Sequence, residues 1–267
     1  MTIQELVSTN VNKGYSLRQS QNIAAEEIIL KKIASSSLVE HVTLKGGIVL
    51  YNLAKNSRRV TQDIDFDLIK YSIDKESIRL FVNKLNAVDD GFKVALSGDI
   101  EDLHQEDYKG VRAKVVITDK ENKSLRLKLD IGVHTYSAIE QNSLLFNFSS
   151  SHDCVSITVN PPEQIFAEKV ISLARLGVIS TRYKDIYDIY FLIKDCKISS
   201  NNVRDILKMF FKNTHRKPDN FLDLRKVVES TLNDENFIKD ASKPIFKWID
   251  DDFDIVKKTI IDFIYEL

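Results

Sequence analysis

Three acids at alternate positions, Asp63, Asp65 and Asp67, carry the sharpest chemical signal in this chain of 267 residues. On a strand, side chains two apart share a face, so these carboxylates point one way while Ile64, Phe66 and Leu68 point the other. Acids side by side on an otherwise buried strand repel one another, and such a cluster persists where a cation occupies it. Hard divalent ions such as Mg2+ bind in this way, through one or two carboxylates completed by substrate phosphates. Upstream, Lys45-Gly46-Gly47 separates the apolar run His41 to Leu44 from a helical segment, Ile48 to Ala54. Glycine lets backbone N–H groups approach a phosphate, and a helix start favours negative charge. Together these residues suggest a site for a metal-bound nucleotide.

The order strand, Gly-Gly, helix, Asp-x-Asp strand resembles the nucleotidyltransferase superfamily, whose pattern is usually Gly-Ser followed by Asp-x-Asp. It more closely resembles the abortive-infection (AbiEii/AbiGii-type) nucleotidyltransferase toxins of bacterial type IV toxin–antitoxin systems. That family reads Gly-Gly-Thr, then Arg-x-Ser/Thr-x-Asp-Ile-Asp; here stand Gly46 and Gly47, then Arg59, Thr61, Asp63, Ile64 and Asp65. Ile48 departs from the pattern, which removes one hydroxyl contact to phosphate and keeps the backbone donors. Two later blocks match as well: Ala167-Glu168-Lys169, and Arg182-Tyr183-Lys184-Asp185-Ile186-Tyr187-Asp188. The resemblance covers about Leu44 to Leu192, and the order of its blocks is far more specific than any one of them.

The resemblance implies an α+β fold: a nucleotidyltransferase-type mixed sheet flanked by helices, with a C-terminal helical lobe. It implies Mg2+ (or Mn2+) on Asp63, Asp65 and Asp130, with Asp130 also acting as base. Lys45, Gly46, Gly47, Arg59, Thr61 and Asp188 would form the nucleotide site. Lys169 would grip the triphosphate as a point charge, and Asp185 would join the catalytic set. The substrate would be a nucleoside triphosphate, the acceptor an RNA such as a tRNA 3' end, and the partner a cognate antitoxin. Transfer to a protein or small molecule, or a catalytically silent RNA- or partner-binding role, are the rival readings.

Composition sets the broader bounds. With 43% hydrophobic and 29% charged residues the chain has the make-up of a soluble globular protein, and its length allows one large domain or two lobes. A net charge of −1 neither supports nor excludes RNA binding, because a basic face can hide in a neutral total. Cys154 and Cys196 are too few for a disulfide framework or zinc site, which suggests reduced thiols and a cytoplasmic setting. The five histidines, His41, His104, His134, His152 and His215, lack ligand spacing and read as structural or surface groups. No apolar stretch approaches the ~18 residues of a membrane span, and Met1 to Leu30 lacks a signal-peptide pattern.

The positioning elements follow from periodicity. Residues 1 to 40 read as helical, with a capping box at Ser16 to Gln19 and Ile23, Ile28, Ile29 and Ile33 on one side, bracing the sheet. Arg18, Lys31 and Lys32 read as solvated helix residues. Asp74 to Val88 has helical period, and Phe92 to Leu96, Val111 to Thr118 and Leu125 to Val133 read as strands. A turn at Asp119 to Lys123 joins the last two, and the acidic stretch Gly98 to Lys109 reads as a solvated loop. In Leu125 to Val133, Arg126, Lys128 and Asp130 share the polar face. If that face lies beside Asp63 to Leu68, Asp130 joins the acids; otherwise it is one exposed residue of an edge strand. Asp67, about 7 Å beyond Asp65 along a strand, reads as a supporting or solvent-exposed residue.

Pro161-Pro162 marks a boundary between residues 1–160 and 161–267, because extended prolines precede a change from strand alternation to helical period. Glu163 to Leu176, with Phe166, Val170, Leu173 and Ala174 inward, and Thr181 to Ile193 are its first helices. Asn202 to Leu267 reads as further amphipathic helices, with breaks at Lys217-Pro218 and Lys243-Pro244. Asp185 and Asp188 are neighbours on one helix, where Asp188 can also pair with Lys184. Arg58, Arg59, Lys128, Arg175, Arg182 and Lys184 are candidate contacts to an acceptor's phosphates, with Arg59 also suited to ordering the acid strand.

Overall fold

The computed structural model describes residues 1–103, 110–151, 153–213 and 217–267. The chain divides into two compact units, Met1–Asn160 and Pro161–Leu267, so the division falls at the proline pair. The first unit opens with α1 (Ile3–Asn12) and α2 (Leu17–Ala34), the latter started by the Ser16/Gln19 capping box. The break between them is Gly14, at φ +92 in the left-handed region. It lies just before the Ser16 capping box that the sequence placed at the start of the long helix.

The sheet strands are β1 (Val42–Lys45), β2 (Asp63–Leu68), β3 (Lys93–Leu96), β4 (Glu101–Leu103), β5 (Gly110–Thr118), β6 (Ser124–Val133), β7 (Asn142–Asn147) and β8 (Cys154–Val159). Their order is β3-β5-β6-β2-β1-β8-β7, with β4 pairing β5. β1 with β8 and β2 with β6 are parallel, and the remaining pairs are antiparallel. β4 lies in the stretch the sequence assigned to a solvated loop, whose part at 104–109, with His104, is outside the described residues, as are His152 and His215.

Strand β6 alternates as its sequence requires, with Leu125, Leu127, Leu129 and Ile131 buried and Arg126 and Lys128 exposed. The β5–β6 turn is held by Asp119, whose carboxylate accepts from the backbone N–H groups of Glu121 (3.0 Å), Lys123 (2.9 Å) and Ile3 (2.9 Å). α3 (Gly46–Ala54) starts directly where β1 ends, and α4 (Lys75–Leu85), capped by Asp74, stacks Phe81 on Phe66 with ring centroids 5.2 Å apart. α4 therefore meets the apolar face of β2 at Phe66.

Helix α2 packs against β2, β6 and β8 and is buried around most of its circumference. That overturns the solvated reading of Lys32: its side chain is fully buried, and Nζ donates to the Val88 carbonyl at 3.0 Å and to Asp90 at 2.7 Å. A buried ammonium is tolerated only where partners replace its water, and the end of α4 and the loop after it supply them.

The second unit contains α5 (Pro162–Leu176), α6 (Tyr183–Lys194), α7 (Ser200–Lys212), α8 (Phe221–Asn233), α9 (Glu235–Ala241) and α10 (Phe253–Glu266). Pro162 occupies the first turn of α5, where its missing N–H costs nothing. Phe166, Val170, Leu173 and Ala174 are buried, and Phe166 meets Phe263 of α10 edge-on at 5.1 Å. Among the described residues no helix is long and apolar enough to cross a membrane.

Candidate active site

Strand register builds one polar row across four strands of the first unit. Lys45 on β1 opposes Asp65 on β2, Asp65 lies beside Asp130 on β6, and Asp130 opposes Arg112 on β5. Residues matched across a ladder present their side chains on the same face. Two acids thus stand side by side at the centre, and each end of the row is a cation. Asp63 lies one pleat away beside Lys128, which faces Lys114.

The cations are engaged. Lys45 Nζ donates to Asp67 Oδ1 at 2.6 Å, and Asp67 is only 2% exposed. That excludes the solvent-exposed reading of Asp67 and gives Lys45 a carboxylate partner. Arg112 grips Asp130 through a two-pronged fork, Nε to Oδ1 at 2.7 Å and Nη2 to Oδ2 at 2.6 Å. These bonds hold the guanidinium even more firmly protonated. Arg112 was not among the residues the sequence singled out. Its one signal there was its place on the polar side of an alternating strand.

The Gly-Gly pair is required by contact. Gly46 adopts φ +63, and a Cβ on it would lie 2.7 Å from Asp65 Oδ2; a Cβ on Gly47 would lie 2.7 Å from Thr61 Oγ1 and 3.5 Å from Arg59 Nη1. The start of α3 is therefore pressed directly onto the acid strand and the residues leading into it. Thr61 Oγ1 in turn donates to Asp63 Oδ1 at 3.0 Å, and both Thr61 and Arg59 are buried. Asp63 and Asp65, half-buried on one face, offer hard oxygen donors of the number Mg2+ takes from protein when phosphates complete its shell, so the residues fit such an ion. Among the described residues no three His, Cys, Asp or Glu side chains converge to hold a metal. The third predicted ligand, Asp130, instead has both oxygens turned to Arg112.

Close to the acids, α2 contributes a group that sequence reasoning missed. Glu26 is 2% exposed, and its Oε1 has no hydrogen-bond partner. Burial, with the charges of Asp63 and Glu27 adding, pushes its carboxyl well above the usual range. The folded state therefore keeps a proton that the unfolded chain releases above its ordinary carboxylate pKa. The stability this proton confers is complete below the unfolded pKa and is lost as pH rises through the raised folded one. Glu26→Gln, an isostere of the protonated form, should raise the melting temperature at pH 8 by a few degrees, for roughly 1 to 3 kcal/mol. At pH 4 it should change it little, and thermal melts at the two pH values measure the difference.

In the second unit, Lys169 on α5 donates to Asp185 Oδ1 at 2.5 Å and lies 2.9 Å from Asp188 Oδ2, both acids on α6. Asp188 is fully buried and its Oδ1 accepts from Trp248 Nε1 at 3.1 Å. Beyond the Lys184 that the sequence offered to Asp188, the fold brings Lys169 and Trp248 to it. Three of the predicted site residues, Lys169, Asp185 and Asp188, are thus one hydrogen-bonded cluster. Arg58, Lys128 and Arg182 are exposed, and Arg175 and Lys184 are half-buried. Cys154 and Cys196 are free thiols.

A mixed sheet with an Asp-x-Asp strand pressed under a Gly-Gly helix start has the arrangement of a nucleotidyltransferase. The family model described as "Nucleotidyl transferase AbiEii toxin, Type IV TA system" matches residues 28–254, and the chain belongs to that family. The chain is also similar to a solved structure, an antigenic nucleotidyltransferase-like protein from Paracoccidioides brasiliensis. The likeness has 17% identity and a TM-score of 0.41, over 77% of this chain and 93% of that one. No curated protein matches.

Proposed function

We propose that the chain is a metal-dependent nucleotidyltransferase that moves a nucleotide from a nucleoside triphosphate to an RNA hydroxyl, of the tRNA 3' end type, with loss of pyrophosphate. In this reading it inhibits growth in the cytoplasm, and a cognate antitoxin protein relieves the inhibition. The observation that carries the reading is the Asp63/Asp65 pair held against the Gly46-Gly47 start of α3. Asp63 and Asp65 would hold Mg2+ or Mn2+, which when bound supplies charge neutralisation at the phosphates and activation of the attacking oxygen.

The chain's own residues do the rest. The start of α3 favours phosphate through its unsatisfied backbone donors and its dipole. Thr61 fixes the orientation of Asp63 by its hydrogen bond. Asp130 is assigned the acceptor hydroxyl's proton, a role open to it once an oxygen is free of Arg112. Lys169, steadied by Asp185 and Asp188, is assigned to the triphosphate charge.

Incubation with each labelled nucleoside triphosphate, Mg2+ and total cellular RNA and protein tests the reading. Label in a tRNA-sized band supports it, label in protein supports a protein acceptor, and no label defeats it. With an RNA acceptor, log KM for the acceptor should move with log salt by roughly 0.7 to 0.9 per phosphate contact. A flat profile decides against RNA.

Lys169→Ala should raise the KM for nucleoside triphosphate and lower turnover, each by about tenfold. Its melting temperature should also fall, because the substitution removes an ammonium 2.9 Å from the buried Asp188 carboxylate. Unchanged nucleotide kinetics beside a lowered melting temperature would make Lys169 a purely structural residue.

A further inference from the structure

We propose that Arg112 and the divalent cation compete for one carboxylate, that of Asp130, so that Arg112 is a positioning residue which holds the third acid of the site until metal displaces it. The inference rests on the metal reading above and adds a residue that the reading does not contain.

The geometry is that of a counter-ion already in place. Arg112 and Asp130 are opposed in the β5–β6 register, and the fork of 2.7 and 2.6 Å occupies both carboxylate oxygens. Asp130 is also the register neighbour of Asp65 on β2. Parallel neighbours in a sheet lie about 4.8 Å apart, so two ionised carboxylates there repel unless a cation stands between or beside them. One cation suffices. Arg112 meets that need on the Asp130 side, and a divalent ion on Asp63 and Asp65 would meet it from the other. The two cations cannot both take the same oxygen lone pairs of Asp130. The fork takes one lone pair on each oxygen and leaves one on each, so metal recruits Asp130 through a remaining lone pair beside the guanidinium or by breaking a prong, and on either route the guanidinium's charge weakens metal binding. The guanidinium has five N–H donors. The fork uses two of them, and Arg112 is about a third exposed, so a released Arg112 keeps water or substrate anions as alternative partners.

The test is Mn2+ binding to the full chain without nucleotide, followed by electron paramagnetic resonance of free Mn2+, in wild type, Arg112→Gln, Arg112→Lys, Asp130→Asn, the Arg112→Gln/Asp130→Asn double variant and Asp63→Ala. Competition predicts that Arg112→Gln binds Mn2+ roughly tenfold more tightly than wild type. Arg112→Lys, with one point charge and no fork, should lie between. In the Asp130→Asn background the Arg112→Gln gain should vanish, because nothing is left to compete for. Loss of positive charge alone would also tighten metal binding, but it would do so equally in the Asp130→Asn background. Wild-type-like or weakened binding in Arg112→Gln, beside a cooperative melt and a wild type whose binding Asp63→Ala abolishes, overturns this inference and leaves the metal reading standing. If Arg112→Gln fails to melt cooperatively, Arg112→Lys carries the test, and a Kd no tighter than wild type overturns the inference. Absence of Mn2+ binding in wild type without nucleotide overturns this inference, while the metal reading, in which phosphates complete the shell, is judged by the labelled-nucleotide assay.

Discussion

Asp63→Asn or Asp65→Asn should lower nucleotide transfer by at least about a thousandfold, equivalent to roughly 4 kcal/mol of barrier, and should leave the melting temperature level or higher. The asymmetry follows from placement. Both acids lie half-buried on one face of β2, and Asp65 stands beside Asp130 in the register. Removing one negative charge relieves repulsion within the folded sheet. The asparagine at 63 keeps the oxygen that accepts from Thr61 Oγ1. What the substitution takes away is the anionic donor that the metal reading assigns to a divalent ion. Label incorporation and thermal melts of the same preparations check both halves, and turnover within tenfold of wild type for either variant removes these two acids from the metal site.

The second large effect comes from a methyl group. Gly46→Ala should cut turnover by about a hundredfold while costing about 1 to 2 kcal/mol of stability. Part of the cost is backbone: φ of +63 is the left-handed region, where a side chain crowds the carbonyl. The larger consequence is local, because the new Cβ arrives 2.7 Å from Asp65 Oδ2. Either the Asp65 carboxylate turns away or α3 lifts from β2, and a displacement of about an ångström at a reacting centre is enough for such a loss. Gly47→Ala makes the control. Its Cβ meets Thr61 Oγ1 at 2.7 Å and Thr61 Cβ at 3.0 Å, so it strikes a buried β-branched residue, and its stability loss should exceed that of Gly46→Ala. A Gly46→Ala protein with full turnover would show that the start of α3 does not set the Asp65 geometry.

The Gly-Gly pair is the feature whose meaning the fold changes most. In the sequence it suggested phosphate-binding backbone alone. In the structure it also leaves the room in which Asp65 and Thr61 sit. The departure at Ile48 is absorbed easily, since that side chain is buried and apolar on α3.

Sequence alone determined what depends on neighbours along the chain. Alternation laid Asp63 and Asp65 on one face of β2 and Asp130 on the polar face of β6, because a strand's side-chain period is two whatever it pairs with. Helical period identified α4, α5 and α6, and the capping box at Ser16 started α2. Three strands escaped notice: β4 is three residues long, and β7 and β8 lack clean alternation. Only the tertiary structure decided which charge met which. The parallel pairing of β2 with β6 set Asp65 beside Asp130, and the β5–β6 register gave Asp130 to Arg112. The α5–α6 packing gave Asp188 to Lys169, and the path of the chain after α4 made Lys32 a buried cation. Glu26 was illegible for the same reason. A glutamate in an amphipathic helix reads as solvated until the fold closes over it, and burial, a property of the whole fold, is what makes its proton stay.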